Sequence, residues 1–570
     1  MLRGTVVALV FLTFSACNGS GGDQALPAQG PVPTPTPTIP APELPWLTST
    51  VSDCSSGANP CGLADFSAGL HTISPEIFGD GMEWQQFGQN VLAPGATLSD
   101  PGVVRSDVQT ALKGVGLTLL RYPGGTLADM FHWAGAVGPI SGRQAQLVMD
   151  LDAGGHPKTD FPYFGPDEFA SYAAALGTEI LLTVNIGTGT AQEAAGWITH
   201  WEAIGIRPKY VEIGNEMYLP GPGGSFPTMT PLTYAGKFDA YAQAIHAVDP
   251  TLKLGVIGTM ETSFWCAPTC STHPWNEQVL STITQKADFL AVHNHYAPGT
   301  DQGTQAVFES MLSHAKFARF DNFLLEQDVD YWAKPVNQGL PLAITEHASF
   351  FLSSGTDFNA VITMLSRNQT LAAALFSALS YQGFVQDSRM LLTNHINPLH
   401  FLWQAPITLA MPDWATWPQN YNPNPILSAF GQVFKAYREL AAQTYVAAPL
   451  VRVPTIATAA SGLTPAVPDA PLLDAVAAKG AGGKGWFLLV NRSLTTDYST
   501  SIVLKNLPAG ATILEIDELT SAGYEDKNIP GPDASKVHWT PVQSGRLPAG
   551  ASFGLTVTVP KFTLLRLRLR

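Results

Sequence analysis

The sequence predicts an α/β protein: a (β/α)8 TIM barrel followed by a C-terminal antiparallel β-sandwich domain. Three observations carry this. Eight short β-type runs alternate with amphipathic helical segments between residues 76 and 442. Several of those runs end in polar residues, as the reactive rim of a barrel requires. After Ala442 the helical spacing stops, and alternating or clustered apolar runs follow between Gly, Pro and Asp turns. A doubly wound open sheet competes with the barrel, but no GxGxxG follows an early strand. At 570 residues the chain has room for two folded units and tails.

Taken in order, residues 1–17 read as a lipoprotein-type signal peptide: Arg3, an apolar run from Val6 to Phe14, and "SAC" ending at Cys17. In such a signal Cys17 is the lipidated residue; ordinary secretion with nearby cleavage is the other reading. Either sends the chain out of the cytoplasm, as an envelope lipoprotein (outer membrane or cell surface) or a periplasmic or secreted protein. Residues 18–46, with "PVPTPTPTIPAPELP", favour extended polyproline conformations and read as a semi-rigid tether. Residues 47–75 are poor in helical signal and stand ready to add a strand to the sandwich.

The barrel strands are "PEIFG", "LTLLRYPGG", "EILLTVNIG", "KYVEIGNE", "LKLGVIG", "DFLAVHNHY", "PLAITEH" and "RMLLTNH". Between them, residues 165–177 open with Pro166, Asp167 and Glu168, place Phe169, Tyr172 and Ala173 on one face, and stop at Gly177. Thr230 and Pro231 start a second helix, with Tyr234, Phe238, Tyr241 and Ile245 at helical spacing. Pro425 starts a last one through Phe430, Phe434 and Tyr437. In the sandwich, residues 443–570, the strands are "WFLLVN", "TSIVLKNL", "TILEID", "KVHW", "FGLTVTVP" and "FTLLRLRLR"; the last alternates Leu with Arg, predicting one buried and one solvated face.

A net charge of −15 argues against nucleic acid as a partner. No apolar run after the leader approaches the roughly 20 residues that span a bilayer, so any membrane contact is through the lipid anchor. With Cys17 set aside, Cys54, Cys61, Cys266 and Cys270 remain, an even number suited to an oxidising compartment. Cys54–Cys61 and Cys266–Cys270 are the simplest pairing, with the other connectivities open. Zinc at "CAPTC" lacks a second ligand pair, so no metal is expected.

Two strand ends carry the chemistry. Glu216 closes "YVEIGNE", and Glu346 stands at the end of the apolar strand in "LAITEH" three strands later, which in a closed barrel sets them facing across the mouth. A carboxylate pair flanking one bond is what glycosidic cleavage requires, one protonated to release the leaving oxygen and one ionised to attack or to activate water.

The stretches "RYPGG" with "FHW" and "VGP", "FGPDEF", "NIGTGTAQEAAGW", "YVEIGNEM" and "VHNHY" resemble glycoside hydrolase family 51, the α-L-arabinofuranosidases, over roughly residues 70–445. The resemblance implies a retaining, exo-acting enzyme on arabinose-containing plant polysaccharides or oligosaccharides, with no cofactor. Glu216 would be the acid/base and Glu346 the nucleophile. Asn215 would bond the sugar 2-hydroxyl, and Arg121 would hold Glu346 ionised. Glu83, Trp133 and Asn394 would line the sugar pocket. His293, His295 and Tyr296 end the sixth strand, where one ring contacts the nucleophile in the family. Three departures touch the pocket. Thr126 stands where the family has asparagine, "AGA" replaces an acidic stretch after "FHW", and "HASFF" follows the nucleophile in place of a tryptophan-rich run. Trp414 and Trp417 lie in a loop that either stacks on further sugar units or caps the barrel. Two alternatives stay open: a β-glycosidase, endoglucanase or glucuronidase-like enzyme of the same superfamily, and a non-catalytic carbohydrate-binding surface lipoprotein.

Overall fold

A computed structural model describes residues 44–93, 102–260, 274–293, 297–298, 303–351, 358–413, 421–460 and 465–570. Cys17, Cys266, Cys270, His295, Tyr296, Trp414 and Trp417 lie outside the described residues, as do the signal and most of the tether.

Eight parallel strands close into a barrel in chain order: β1 (Gly79–Gly81), β2 (Leu119–Tyr122), β3 (Glu179–Val184), β4 (Tyr210–Ile213), β5 (Lys253–Ile257), β6 (Phe289–His293), β7 (Leu342–His347) and β8 (Met390–His395). β8 pairs with β1 to complete the ring. The helices around it include α1 (Ser106–Val115), α2 (Pro166–Leu176), α3 (Ala191–Ala203), α4 (Pro231–Val248), α5 (Trp275–Thr282), α6 (Ala318–Trp332), α7 (Leu371–Gln386) and α8 (Ala429–Arg438). The first strand differs from expectation. "PEIF" forms a short 3-10 turn, because proline fixes φ and suits a helical first turn, and the strand itself is Gly-Asp-Gly just beyond.

Local signals set the helix ends. α2 begins at Pro166, with the Glu168 side chain accepting from the Gly165 N–H at 3.0 Å, and stops at Gly177 with φ 77°. The Thr230 hydroxyl caps α4, whose buried tyrosines reach the barrel: Tyr234 donates to the Ile213 carbonyl (3.0 Å) and Tyr241 to that of Asn185 (2.8 Å). These two bonds pin the ends of β3 and β4, where the site begins. α8 starts four residues later than the proline predicts. Ser428 provides its cap, accepting from the Gly431 N–H at 2.8 Å, while Ile426–Leu427 pairs as a short strand with Ile407–Thr408.

Two sheets form the second domain. One runs Leu450–Val451, Cys61–Asp65, Tyr498–Lys505, Ser552–Val559; the other runs Gly69–Thr72, Thr444–Val446, Leu473–Lys479, Gly485–Asn491, Thr563–Leu569, Ile513–Thr520, His538–Arg546. Both receive a strand from before the barrel. Phe66, Phe487, Leu489, Ile502, Leu504, Phe553, Leu565 and Leu567 build the core between the sheets. The arginine face of the final strand is not simply solvated as its alternation suggests: Arg566 is 9% exposed on its side chain and paired to Asp517 and Glu439 at 2.7 Å each. The neighbouring strand supplies Asp517, and Glu439 stands at the end of α8, so the arginines join barrel to sandwich.

Cys54 and Cys61 are disulfide-bonded. They lie seven residues apart, and closing so short a loop in the unfolded chain is worth about 2 kcal/mol. A Cys54→Ser/Cys61→Ser chain should lose about that much unfolding free energy in urea titration; an unchanged midpoint would show that sheet pairing alone holds this edge.

Candidate active site

Inside the barrel, period-two alternation stacks side chains in layers. Leu119, Leu181, Tyr210, Phe289, Ala291, Ala343 and Leu392 form an apolar plug. Two residues further along their strands come Arg121, Thr183, Glu212 and Thr345, a polar layer with little contact with water. Arg121 is its centre. Its Nε donates to Glu212 Oε2 (2.7 Å) and to the Thr183 hydroxyl (3.1 Å), Nη1 to Glu346 Oε1 (2.6 Å), and Nη2 to Asn215 Oδ1 (2.7 Å). Thr183 and Thr345 donate to the two Glu212 oxygens at 2.8 and 2.6 Å. Burial works against the guanidinium charge, but Glu212 and Glu346 more than offset it, and the Arg121 pKa is raised further above its ordinary value. Neutral arginine is therefore excluded.

Above this layer stand the two predicted carboxylates. His293 Nδ1 lies 2.9 Å from Glu216 Oε1 and 3.8 Å from Glu346 Oε2. Those two distances hold the carboxylate oxygens within about 6.7 Å of each other, against separations of about 5 to 5.5 Å in retaining glycosidases and 6.5 to 9.5 Å in inverting ones. Burial opposes the charge of His293, yet Glu346 and Glu216 raise its pKa above the usual histidine value.

Three local features put Glu216 and Glu346 there. Gly214 has φ 84°, and a side chain on it would strike Ile186, so the turn carrying Asn215 and Glu216 needs glycine. A Cβ on Gly125 would collide with Glu346 Oε1, which explains the second glycine of "RYPGG". On β7, a register shift sets Thr345 as an extra residue between the pairs Val292–Ile344 and His293–Glu346. Thr345 and Glu346 thereby both reach inward, which a regular pleat forbids.

Glu83 follows β1, its Cγ close to Gly124. Burial first, and then the charge of Glu346, push its pKa up to about 7, while the Gln85 amide, donating at 2.7 Å, works the other way. Thr126 is half-buried at the start of the 3-10 turn that follows Gly125. Asn394 is fully buried on β8, its Oδ1 filling the space that a Cβ on Gly79 would need. Trp133 is fixed against α3: its indole donates to the Glu193 carbonyl (2.8 Å), and its ring stacks on Trp197.

Sequence reasoning passed over Glu212 and Asp129. Asp129, 1% exposed, accepts from the Asn215 backbone N–H at 3.0 Å and from that of Ile186 at 3.2 Å, tying the segments that follow β3 and β4. Burial pushes its pKa up to about 7. A lone acid within the apolar "TLADMF" was the available signal.

No protein-family model matches the chain. A probable α-L-arabinofuranosidase C from Aspergillus fumigatus is 34% identical over 188 residues, 30% of this chain and 36% of that protein. The matches cover 36% to 45% of the length of the Aspergillus relatives. An intracellular exo-α-(1->5)-L-arabinofuranosidase from Bifidobacterium longum is 25% identical over 497 residues, 76% of this chain and 78% of that protein. Among solved structures, the family 51 α-L-arabinofuranosidase of Thermotoga petrophila superposes with a TM-score of 0.71 at 20% identity, covering 90% of this chain and all of that one. A family 51 enzyme from Bifidobacterium longum superposes at 0.72, with 21% identity and the same coverage. The fold is the family 51 arabinofuranosidase fold, a TIM barrel with a C-terminal β domain.

Two outcomes follow from the buried acids. Asp129→Asn sets an amide NH2 against one of two backbone N–H donors, so kcat/KM should fall by about tenfold or more and stability by about 1–3 kcal/mol; unchanged kinetics would separate Asp129 from Asn215. A carboxyl whose folded pKa is raised favours the folded state when protonated, so its contribution is present below about pH 4 and is lost as pH rises to about 7. Relative to the parent, Glu83→Gln should therefore gain in Tm between pH 5 and pH 8; a flat difference would mean that Glu83 titrates as if in water.

Proposed function

We propose that the chain is a retaining glycoside hydrolase, an exo-acting α-L-arabinofuranosidase working on arabinose-containing polysaccharides or their oligosaccharides. The observation that carries this is the approach of Glu216 and Glu346 to one atom of His293 at the mouth of the barrel, with Arg121 gripping Glu346 from below. The similarity to named arabinofuranosidases supports the sugar.

In this reading Glu346, held ionised by Arg121, attacks the anomeric carbon. The C–O bond to the leaving group breaks as Glu216 gives its proton to the departing oxygen. A covalent glycosyl–Glu346 ester results. Water then attacks the same carbon, Glu216 takes the water proton, and Glu346 leaves as a carboxylate with net retention. His293 orients the Glu216 carboxyl. Asn215, its amide oxygen occupied by Arg121, turns its NH2 toward the sugar 2-hydroxyl, a contact that strengthens as oxocarbenium character grows. Glu83 and Thr126 line the sugar pocket, whereas Asn394, fully buried against Gly79, offers no surface to a sugar. Export through the leader ending at Cys17 would bring the enzyme to polymers outside the cytoplasm.

The test is a panel of aryl glycosides with proton NMR of the first-formed sugar. Release from the α-L-arabinofuranoside with retention is expected. Glu346→Ala should lower kcat by about 10^4-fold or more, and Glu216→Ala by about 10^2- to 10^4-fold, with azide restoring turnover of activated substrates in the latter. Inversion, or cleavage confined to a β-glucoside or glucuronide, would overturn the assignment.

A further inference from the structure

At the barrel end opposite the carboxylates, a cleft of about 400 Å³ opens between α8 and the arginine face of the final strand. Val115 on its wall ends α1 and precedes β2, whose far end carries Arg121. Lys435, Arg438, Arg566 and Arg568 line it with Glu439 and Trp539. The chain carries a net charge of −15, yet this lining holds four cations, two of them balanced by Glu439, Asp517 and Glu515 and two without a carboxylate partner among the described residues.

The four cations are not equally free. Arg566 and Arg568 are committed to Asp517, Glu439 and Glu515, and the other Glu439 oxygen accepts from the Trp486 indole. Lys435 and Arg438, one helical turn apart, pair with no carboxylate among the described residues. Arg438 donates through Nε to the Gly116 carbonyl at 2.7 Å, which leaves its terminal nitrogens for a ligand. Burial lowers the Arg438 pKa, as for a charge short of compensation. Cations in the last turn of a helix suit its dipole, but that does not account for a tryptophan and two arginines converging from the other domain. Trp539 gives the cleft a planar wall, with the Arg566 guanidinium 4.1 Å from its ring centre.

We propose that this cleft binds a hexuronate unit, so that the protein docks on an acidic polysaccharide while the opposite rim works on neutral branches. The volume is that of a small-molecule site. Arginine takes a carboxylate through two parallel N–H donors, with lysine as a point charge beside it. The proposal rests on the carbohydrate reading above only for its choice of a sugar carboxylate over other anions.

The test is titration calorimetry of the full chain with trigalacturonate and with a glucuronate-bearing xylo-oligosaccharide, against neutral xylotriose. Neither acidic ligand carries arabinose, so binding is read apart from turnover. At least one acidic ligand should bind and the neutral one should not, and salt should weaken the binding. Lys435→Gln/Arg438→Gln should weaken it by about tenfold or more while hydrolysis of an aryl arabinofuranoside and Tm stay near the parent values. Equal binding of xylotriose, equal displacement by inorganic phosphate, or a folded double variant that binds like the parent would overturn the proposal. Trigalacturonate binding through these residues with no aryl arabinofuranoside cleavage would uphold the cleft and sink the glycosidase reading instead.

Discussion

One guanidinium organises the reactive end of this barrel. Arg121 reaches β3, β4, β7 and the turn that follows β4 through four hydrogen bonds, and it touches both Glu346 and the residue next to Glu216. A buried cation is costly unless its charge and its donors are all matched. Here Glu212 and Glu346 match the charge, and two threonine hydroxyls complete Glu212. Glu346 is therefore bound into a network whose loosening would strand a charge in the barrel interior. Orientation of the nucleophile and stability of the barrel are thus one property, and the rotamers above the layer inherit their definition from it.

The elements outside the barrel serve the same end. Tyr234 and Tyr241 of α4 fix the carbonyls of Ile213, the last residue of β4, and of Asn185, just past β3. Asp129 joins the two following turns by their backbone N–H groups and so adds a clamp that is independent of side-chain chemistry at position 215. Glycines at 125 and 214 contribute by what they lack, since a methyl group at either would meet Glu346 or Ile186. Preorganisation is spread over residues that never meet a substrate.

Much of this was legible in the chain. All eight barrel runs fall at or beside barrel strands, because buried parallel strands are short, apolar and bounded by turns. Glu216 and Glu346 were legible because polar residues at strand ends are conspicuous. Glu212 and Arg121 follow the same logic one layer down: a charge in the middle of an apolar strand needs a partner of opposite sign, and Arg121 was read by family likeness when alternation alone would have paired it with Glu212. The extra residue on β7 left no mark in "LAITEH", since a bulge depends on the partner strand. α7 was passed over for a different reason. It is buried on all sides between barrel and sandwich, so its sequence carries no apolar stripe.

The order of the strands in the second domain has a consequence for how the chain is made. Cys61–Asp65 and Gly69–Thr72 emerge from the ribosome before the barrel, yet their partners Tyr498–Lys505 and Thr444–Val446 arrive several hundred residues later. The opening segment must wait, unpaired, while the whole barrel is translated. Once the later strands are present, the sandwich closes like a clasp behind the barrel, and segments from either side of it in the chain secure each other.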